Sequence, residues 1–170
     1  MPLQQSIGLR YGLAVAGQQV VINQAEYLHY NPLSDGSVKA GTFCFKKAVS
    51  GNGESFGYAS SVGSDATSEP LGFVERVVDT YIEQINAENT ETYPEGAPVT
   101  VAIRGQFYAD APADITADGL SVFVDALTGA ITVGSAPESG SSAIDTHWKC
   151  RIPNGGTSAL KGDKVIFERF

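Results

Sequence analysis

Residues 53–57 read Gly-Glu-Ser-Phe-Gly, which fits the G-x-S-x-G pattern of serine hydrolases. In such enzymes the serine stands on a sharp turn between a strand and a helix, and its hydroxyl attacks an acyl carbon. Ser55 would also need an acid and a histidine, and His147 follows it in the chain. The context does not fit, because a glycine-rich turn precedes the motif and a run rich in Ser and Gly follows it. We therefore expect a loop here and no enzyme.

Residues 114–125 resemble a calcium-binding loop, because Asp114, Thr116, Asp118 and Asp125 fall at its first, third, fifth and twelfth positions. Gly119 takes the sixth position. The last ligand is usually a glutamate, however, and the residues before Asp125 alternate like a strand. The other interpretation is a turn that uses Asp and Gly for its backbone shape, and calcium binding by the segment stays open.

Four further side chains could bind a metal or react, namely His29, His147, Cys44 and Cys150. Neither histidine has a partner at metal-ligand spacing, and both are predicted to be half-buried strand residues. The cysteines form no Cys-x-x-Cys pair, so they are expected to be small buried hydrophobic residues, with a disulfide between them left open. We expect no metal, no cofactor and no catalytic residue.

Length and charge limit the class of protein. The chain has 170 residues, with 11 Lys and Arg against 19 Asp and Glu, for a net charge of -8. This length fits one domain with its own core. The scattered cations form no patch that could neutralise phosphates, so no nucleic acid is expected as a partner. No apolar run is long enough to span a bilayer, and the first residues do not fit a signal peptide, so no membrane partner is expected.

The elements that would position these residues are short strands separated by turn signals. Nine runs rich in β-branched and aromatic residues are predicted as strands: 25–30, 41–49, 56–62, 71–78, 99–105, 120–126, 130–134, 146–152 and 164–170. In residues 99–105, Val99, Val101 and Ile103 alternate with residues of the other face, as in a strand with one covered face. The predicted fold class is all-β, either a sandwich or a partly closed, jelly-roll-like barrel with long loops.

One segment leaves an alternative open, because residues 74–87 carry apolar side chains at helical spacing. Their Val, Thr, Tyr and Ile content favours a strand over residues 71–78, followed by an irregular excursion, but one short helix fits the same pattern. Residues 1–17 are expected to form an extended N-terminal arm or a first strand, and residues 18–170 a single β-rich domain.

The order of several stretches resembles the capsid cement, or decoration, proteins of tailed bacteriophages. The stretches are Ala-Val-Ala-Gly-Gln at residues 14–18, a strand at 71–76, the segment 98–108 and the hairpin 119–131. The resemblance covers most of the chain and departs from the family in residues 60–70 and 77–96. It implies a non-enzymatic structural virion protein, made in the host cytoplasm, that binds the outer surface of the assembled capsid and stabilises it by multivalent contacts between capsomers.

The implied partner is the major capsid protein, with self-association as a dimer or trimer on the capsid. The apolar residues Leu13, Ala14 and Val15 are candidates for an arm that contacts the capsid, with an ordinary first strand as the alternative. A rival function from another class is a carbohydrate- or ligand-binding β module of a phage or cell-surface appendage. Such a module would expose aromatic side chains in one concave patch, whereas Phe43, Phe45, Phe56, Tyr58 and Phe73 are predicted to be mainly core residues.

Overall fold

Ten strands form one sheet in the computed structural model, which describes residues 14–20, 25–47, 57–77, 91–137 and 142–170. The strands are β1 (Glu26–Tyr27), β2 (Leu33–Ser34), β3 (Phe43–Lys47), β4 (Tyr58–Ser60), β5 (Pro70–Val74), β6 (Val101–Asp110), β7 (Leu120–Asp125), β8 (Ile131–Gly134), β9 (Ala143–Arg151) and β10 (Lys164–Arg169). Within these residues the only helical element is a 3₁₀ turn at Pro153–Gly155. The all-β prediction is confirmed.

The strand order is β2-β4-β3-β5-β6-β10-β9-β7-β8, and β1 pairs with β6 beside this path. The pairing of β2 with β4 is parallel, and the other strand pairs are antiparallel. The sheet is not closed into a barrel and has the character of a sandwich. The turns that follow β4 and β7, near opposite ends of this strand order, are in contact. The N–H of Gly63 donates there to the carbonyl oxygen of Ala126 at 2.6 Å.

Strand β5 ends at Val74, and residues 78–90 lie outside the described residues. The strand predicted over residues 71–78 is therefore present in its first part, as β5. The short helix proposed for residues 74–87 stays a prediction for the part that is not described.

Strand β6 belongs to both layers of the sandwich. At its start, Val101 and Ala102 pair with β5, whereas Gly105 and the residues after it pair with β10. Gly105 has a φ of 133°, and a Cβ added there would meet the Cβ of Ala25 and the ring of Phe107, each at 3.0 Å. Glycine is suited to this crowded change of partner because it has no Cβ.

Aromatic rings fill the space between the two layers. The ring of Phe73 lies 5.4 Å from Phe43, 5.5 Å from Phe107, 5.6 Å from Trp148 and 6.0 Å from Phe167, measured between centroids. All five side chains are almost fully buried. Edge-to-face and tilted packing of this kind adds about 1 kcal/mol per pair beyond the gain from burial. Phe43 and Phe73, together with the buried Phe45, confirm the predicted core assignment of these residues.

A second apolar cluster covers the opposite side of β3, β5 and the start of β6. Alternate residues of these strands reach it, and Cys44, Val74 and Val101 pack there against Val38 and Val99. Their neighbours along the same strands enter the aromatic cluster instead. These parts of the strands are therefore buried on both faces, which explains the continuous apolar run of residues 43–45. The single covered face predicted for residues 99–105 is wrong, because Val101 is buried in the second cluster and Ala102 in the aromatic cluster.

Residues 16–20 are tied to this double-sided region by close backbone contacts. The N–H of Gly17 donates to the carbonyl of Tyr108 at 2.8 Å, and its carbonyl accepts the N–H of Arg76 at 2.9 Å. Gly17 and Gly41 both have positive φ, and a Cβ on Gly41 would lie 2.6 Å from the Cβ of Ala16. The segment can lie this close only because both positions are glycine.

Gly41→Ala is expected to lower the free energy of unfolding by about 2–4 kcal/mol, from the cost of a left-handed alanine together with overpacking against Ala16. Gly96→Ala is the matched control, since Gly96 has the same φ of 78° and no heavy atom within 4 Å of an added Cβ. The control should cost only about 1–2 kcal/mol. Equal losses for both variants, measured by chemical denaturation, would show that the close approach contributes nothing.

Candidate functional site

The G-x-S-x-G motif lies mostly outside the described residues, and so does Ser55. Its last glycine, Gly57, is described and stands directly before strand β4. A nucleophile elbow requires a helix after the serine, with its N-terminus beside the oxyanion site. The element that follows here is a strand, so the structural context of the hydrolase motif is missing.

The residues of the calcium-loop pattern serve as turn caps and ion-pair partners. Asp114 accepts the N–H of Lys161 at 2.9 Å, and Asp118 accepts the N–H of Ile152 at 2.8 Å. Asp125 accepts the N–H groups of Leu127 and Thr128 at 2.9 Å each. Residues 120–125 form strand β7, as their alternation predicted. Among the described residues, no group of three or more His, Cys, Asp and Glu side chains could hold a metal ion.

Both cysteines are free and buried, as expected for small hydrophobic residues. Cys44 belongs to the second apolar cluster and Cys150 to the aromatic cluster, so they pack in different parts of the core. Burial raises the pKa of each thiol to about 12. Burial therefore disfavours the thiolate, which is the nucleophilic form of a cysteine, at both positions.

Both histidines are exposed, so the prediction that they are half-buried is wrong, and the prediction of a strand is confirmed for His147 alone. His29 follows the short strand β1 instead of lying within a strand. His147 lies in β9, but at a bulge where the register with β7 shifts. Two residues of β9, Thr146 and His147, are inserted between the pairs Val122–Trp148 and Phe123–Asp145. The alternation of β9 is kept through this insertion, so His147 faces outward with Asp145 and Lys149.

The bulge in β9 is held by side chains that satisfy its backbone. His147 has a φ of 63°, in the left-handed region, and its side chain is 72% exposed. The carboxylate of Asp145 accepts the N–H of His147 at 2.8 Å. The buried hydroxyl of Thr146 donates to the carbonyl of Val122 at 2.7 Å and accepts the N–H of Trp148 at 3.2 Å. The bulge is therefore an ordered feature that places an imidazole on the surface.

Of the N-terminal candidates, Ala14 and Val15 are described and half-buried, and Leu13 lies outside the described residues. The N–H of Gln18 donates to the carbonyl of Val15 at 3.0 Å, which closes a turn over residues 15–18. After this turn, Gln19 forms an isolated bridge with Phe107 of β6. Residues 14–15 thus directly precede the segment that is hydrogen-bonded to β6. Whether they contact a capsid stays a prediction.

The carboxylate of Asp35 is the anchor of a loop beside β3 and β4. Its side chain is only 9% exposed and accepts hydrogen bonds from the hydroxyl of Ser37 at 2.5 Å and the ammonium of Lys47 at 2.9 Å. Burial by itself would raise the pKa of Asp35, but the hydrogen bonds from Ser37, Lys47 and Ser60 outweigh it and lower the pKa to about 2. The lowered pKa of Asp35 is therefore explained by the hydrogen bonds that hold this loop.

A second half-buried carboxylate, Glu75, lies beside the attachment of the N-terminal segment. Burial raises the pKa of Glu75, and the hydrogen bond from the hydroxyl of Tyr27 partly opposes this. Burial and this same bond raise the pKa of Tyr27. The backbone carbonyl of Glu75 accepts the hydroxyl of Tyr93 at 2.6 Å. These contacts join β1 and the loop before β6 to the end of β5.

A family model described as XM1 gp53 minor capsid protein matches residues 4–163 of the chain. The chain belongs to this family. It is therefore a structural protein associated with a phage capsid, in agreement with the family resemblance found in the sequence. No curated protein matches the chain. In the part of the chain that the structure describes, no helix is long and apolar enough to cross a membrane.

Asp35→Asn is expected to lower the free energy of unfolding at pH 7 by about 2 kcal/mol, because the folded state favours the charged carboxylate. The pKa of Asp35 is lower when folded, so this stabilisation is present above the ordinary value of 3.8 and is lost as the pH falls toward about 2. Urea denaturation of both proteins from pH 7 to pH 2 measures the difference. A difference that does not change with pH would contradict the assigned role of the charge.

Proposed function

We propose that this chain is a capsid cement protein, which binds the outer surface of the assembled major-capsid shell and stabilises it. The observation that carries the proposal is the match of the minor capsid protein family to residues 4–163. The order of sequence stretches that resembles phage decoration proteins supports the same role. The proposed partner is the major capsid protein, with self-association as a dimer or trimer at junctions between capsomers.

The mechanism is multivalent binding. Each copy forms a modest interface, and the contacts repeat over many equivalent positions of the lattice. A protein that binds only the assembled shell stabilises that shell by mass action, since capsomers cannot separate without first losing the bound copies. The packed aromatic core suits this role, because a rigid domain transmits force between capsomers without unfolding.

The proposed contact arm is the segment that includes Leu13, Ala14 and Val15. Its support is the way the chain joins the domain, where Gly17 is held by hydrogen bonds to Tyr108 and Arg76. The residues before this anchor are connected to a fixed point of the fold. Contacts that they form with the shell would therefore be transmitted directly to β5 and β6.

A variant that begins at residue 14 is expected to bind capsids at least about tenfold more weakly and to melt within about 2 °C of the full chain. Its anchor, Gly17, remains in place. Co-sedimentation with expanded and unexpanded shells measures binding, and a heat challenge of the decorated shells measures stabilisation. Saturable binding by the full chain that delays rupture supports the cement function, and binding to neither shell overturns it.

The substitution Leu13→Ser tests the arm more finely. Leu160→Ser is a matched control, since Leu160 is 67% exposed in the turn before β10. The arm proposal requires that Leu13→Ser weakens binding more than its control does. Equal binding by the two variants and the full chain would remove the arm from the mechanism and leave the cement function standing.

We also propose that the chain has no hydrolase activity. The support is the position of Gly57 directly before a strand, which does not provide the helix that a nucleophile elbow needs. A fluorophosphonate probe should leave the protein unlabelled, with and without the substitution Ser55→Ala. Labelling that disappears in Ser55→Ala would show a reactive serine and overturn this proposal.

A further inference from the structure

The outward face of β6, β10, β9 and β7 carries an ordered row of polar side chains. Strand pairing places Gln106 beside Glu168, Glu168 beside Lys149, and Lys149 beside Ser121. The amide of Gln106 donates to the carboxylate of Glu168 at 3.0 Å, and the ammonium of Lys149 donates to the hydroxyl of Ser121 at 2.7 Å. We call this surface the β9 face. Its side chains are fixed before any partner arrives.

Ion pairs on the β9 face are formed within the molecule. The guanidinium of Arg151 contacts Glu168 at 2.5 Å and Asp118 at 2.9 Å, and Lys164 pairs with Asp110. With Asp145 and Lys149 added, the face carries four carboxylates and three cations. The net charge of the face is therefore -1, whereas the net charge of the whole chain is -8. Covering paired charges costs less than covering isolated ones, which makes this face suitable for contact with another protein.

His147 adds an independent observation on the same face. At ten other described positions with positive φ the chain has glycine, and apart from His147 only Asn154 departs from this. Glycine at position 147 would form the same bulge with less strain, because the stabilising hydrogen bonds come from Asp145 and Thr146. Among the described residues the nearest charged partner of the imidazole is Asp145, at 3.9 Å. The strained His147 therefore adds little to the stability of the fold beyond what a glycine at this position would give.

We propose that the β9 face, with His147 as its exposed contact residue, is the surface that meets the capsid shell. This inference rests on the proposed cement function and deepens it. The shell is a better occupant of this face than a second copy, because two copies each carry a net charge of -8 and repel one another. The proposed dimer or trimer forms on the capsid, where binding to the shell compensates this repulsion. With the nearly neutral face against the shell, most of the negative charge is directed toward solvent.

Two variants test the face, His147→Gly and Lys149→Ala, with Lys46→Ala as the control for Lys149. Lys46 is an exposed lysine on β3, in the other layer of the sandwich. Each test variant should weaken binding to shells about tenfold in co-sedimentation, and the control should stay within about twofold. His147→Gly should melt at the same temperature as the full chain or higher, since it relieves a left-handed backbone.

The outcomes separate this inference from the proposed function. If the full chain binds shells and both test variants bind equally well, the β9 face is overturned and the cement function stands. If the full chain does not bind, both are overturned. If the variants change the oligomer size in sedimentation velocity without affecting shell binding, the face belongs to self-association and the proposal is wrong. If His147→Gly melts at a lower temperature than the full chain, its weaker binding could reflect unfolding. The binding of Lys149→Ala to shells then decides whether the β9 face is upheld or overturned.

Discussion

A single strand has to serve two layers of this protein, because β6 pairs with β5 at its start and with β10 along its second half. The change of partner occurs at Gly105, where a side chain would collide with Ala25 and Phe107. Once the strand has changed layer, the ring of Phe107 can reach Phe73 from the opposite layer. The aromatic core, the anchoring of residues 16–20 on β6 and the position of the outward strands all follow from this geometry.

Much of the fold could be predicted from the sequence, since each of the nine predicted runs contains a strand. The runs are rich in β-branched and aromatic residues, and turn residues separate them, so local chemistry locates them well. Strand β2 was missed because two residues, Leu33 and Ser34, carry no periodicity. The strand order was not predictable either, since β6 meets β10 across more than fifty residues and pairing at such a distance leaves no local pattern.

The surface of interest was harder to predict than the fold. The alternation of Trp148 and Cys150 with Lys149 and Arg151 matches the structure, in which the first two are buried and the last two are exposed. The bulge at His147 could not be found in this way, because it depends on the register between β9 and β7. The bulge inserts two residues and so keeps the alternation, and periodicity does place His147 on the outward face. What periodicity does not reveal is the left-handed backbone of His147.

The acidic composition of the chain has a structural explanation that does not require a basic partner. Long loops leave many backbone N–H groups outside the sheet, and carboxylates satisfy several of them. Hydrogen bonds from the N–H of Ile152 and of Thr128 lower the pKa of Asp118 and Asp125 respectively, so capping these turns favours the charged form of both carboxylates. Asp35 does the same for the N–H of Ser37. If the excess charge serves the loops, it need not mark the binding surface, and a nearly neutral face is the more informative feature of this molecule.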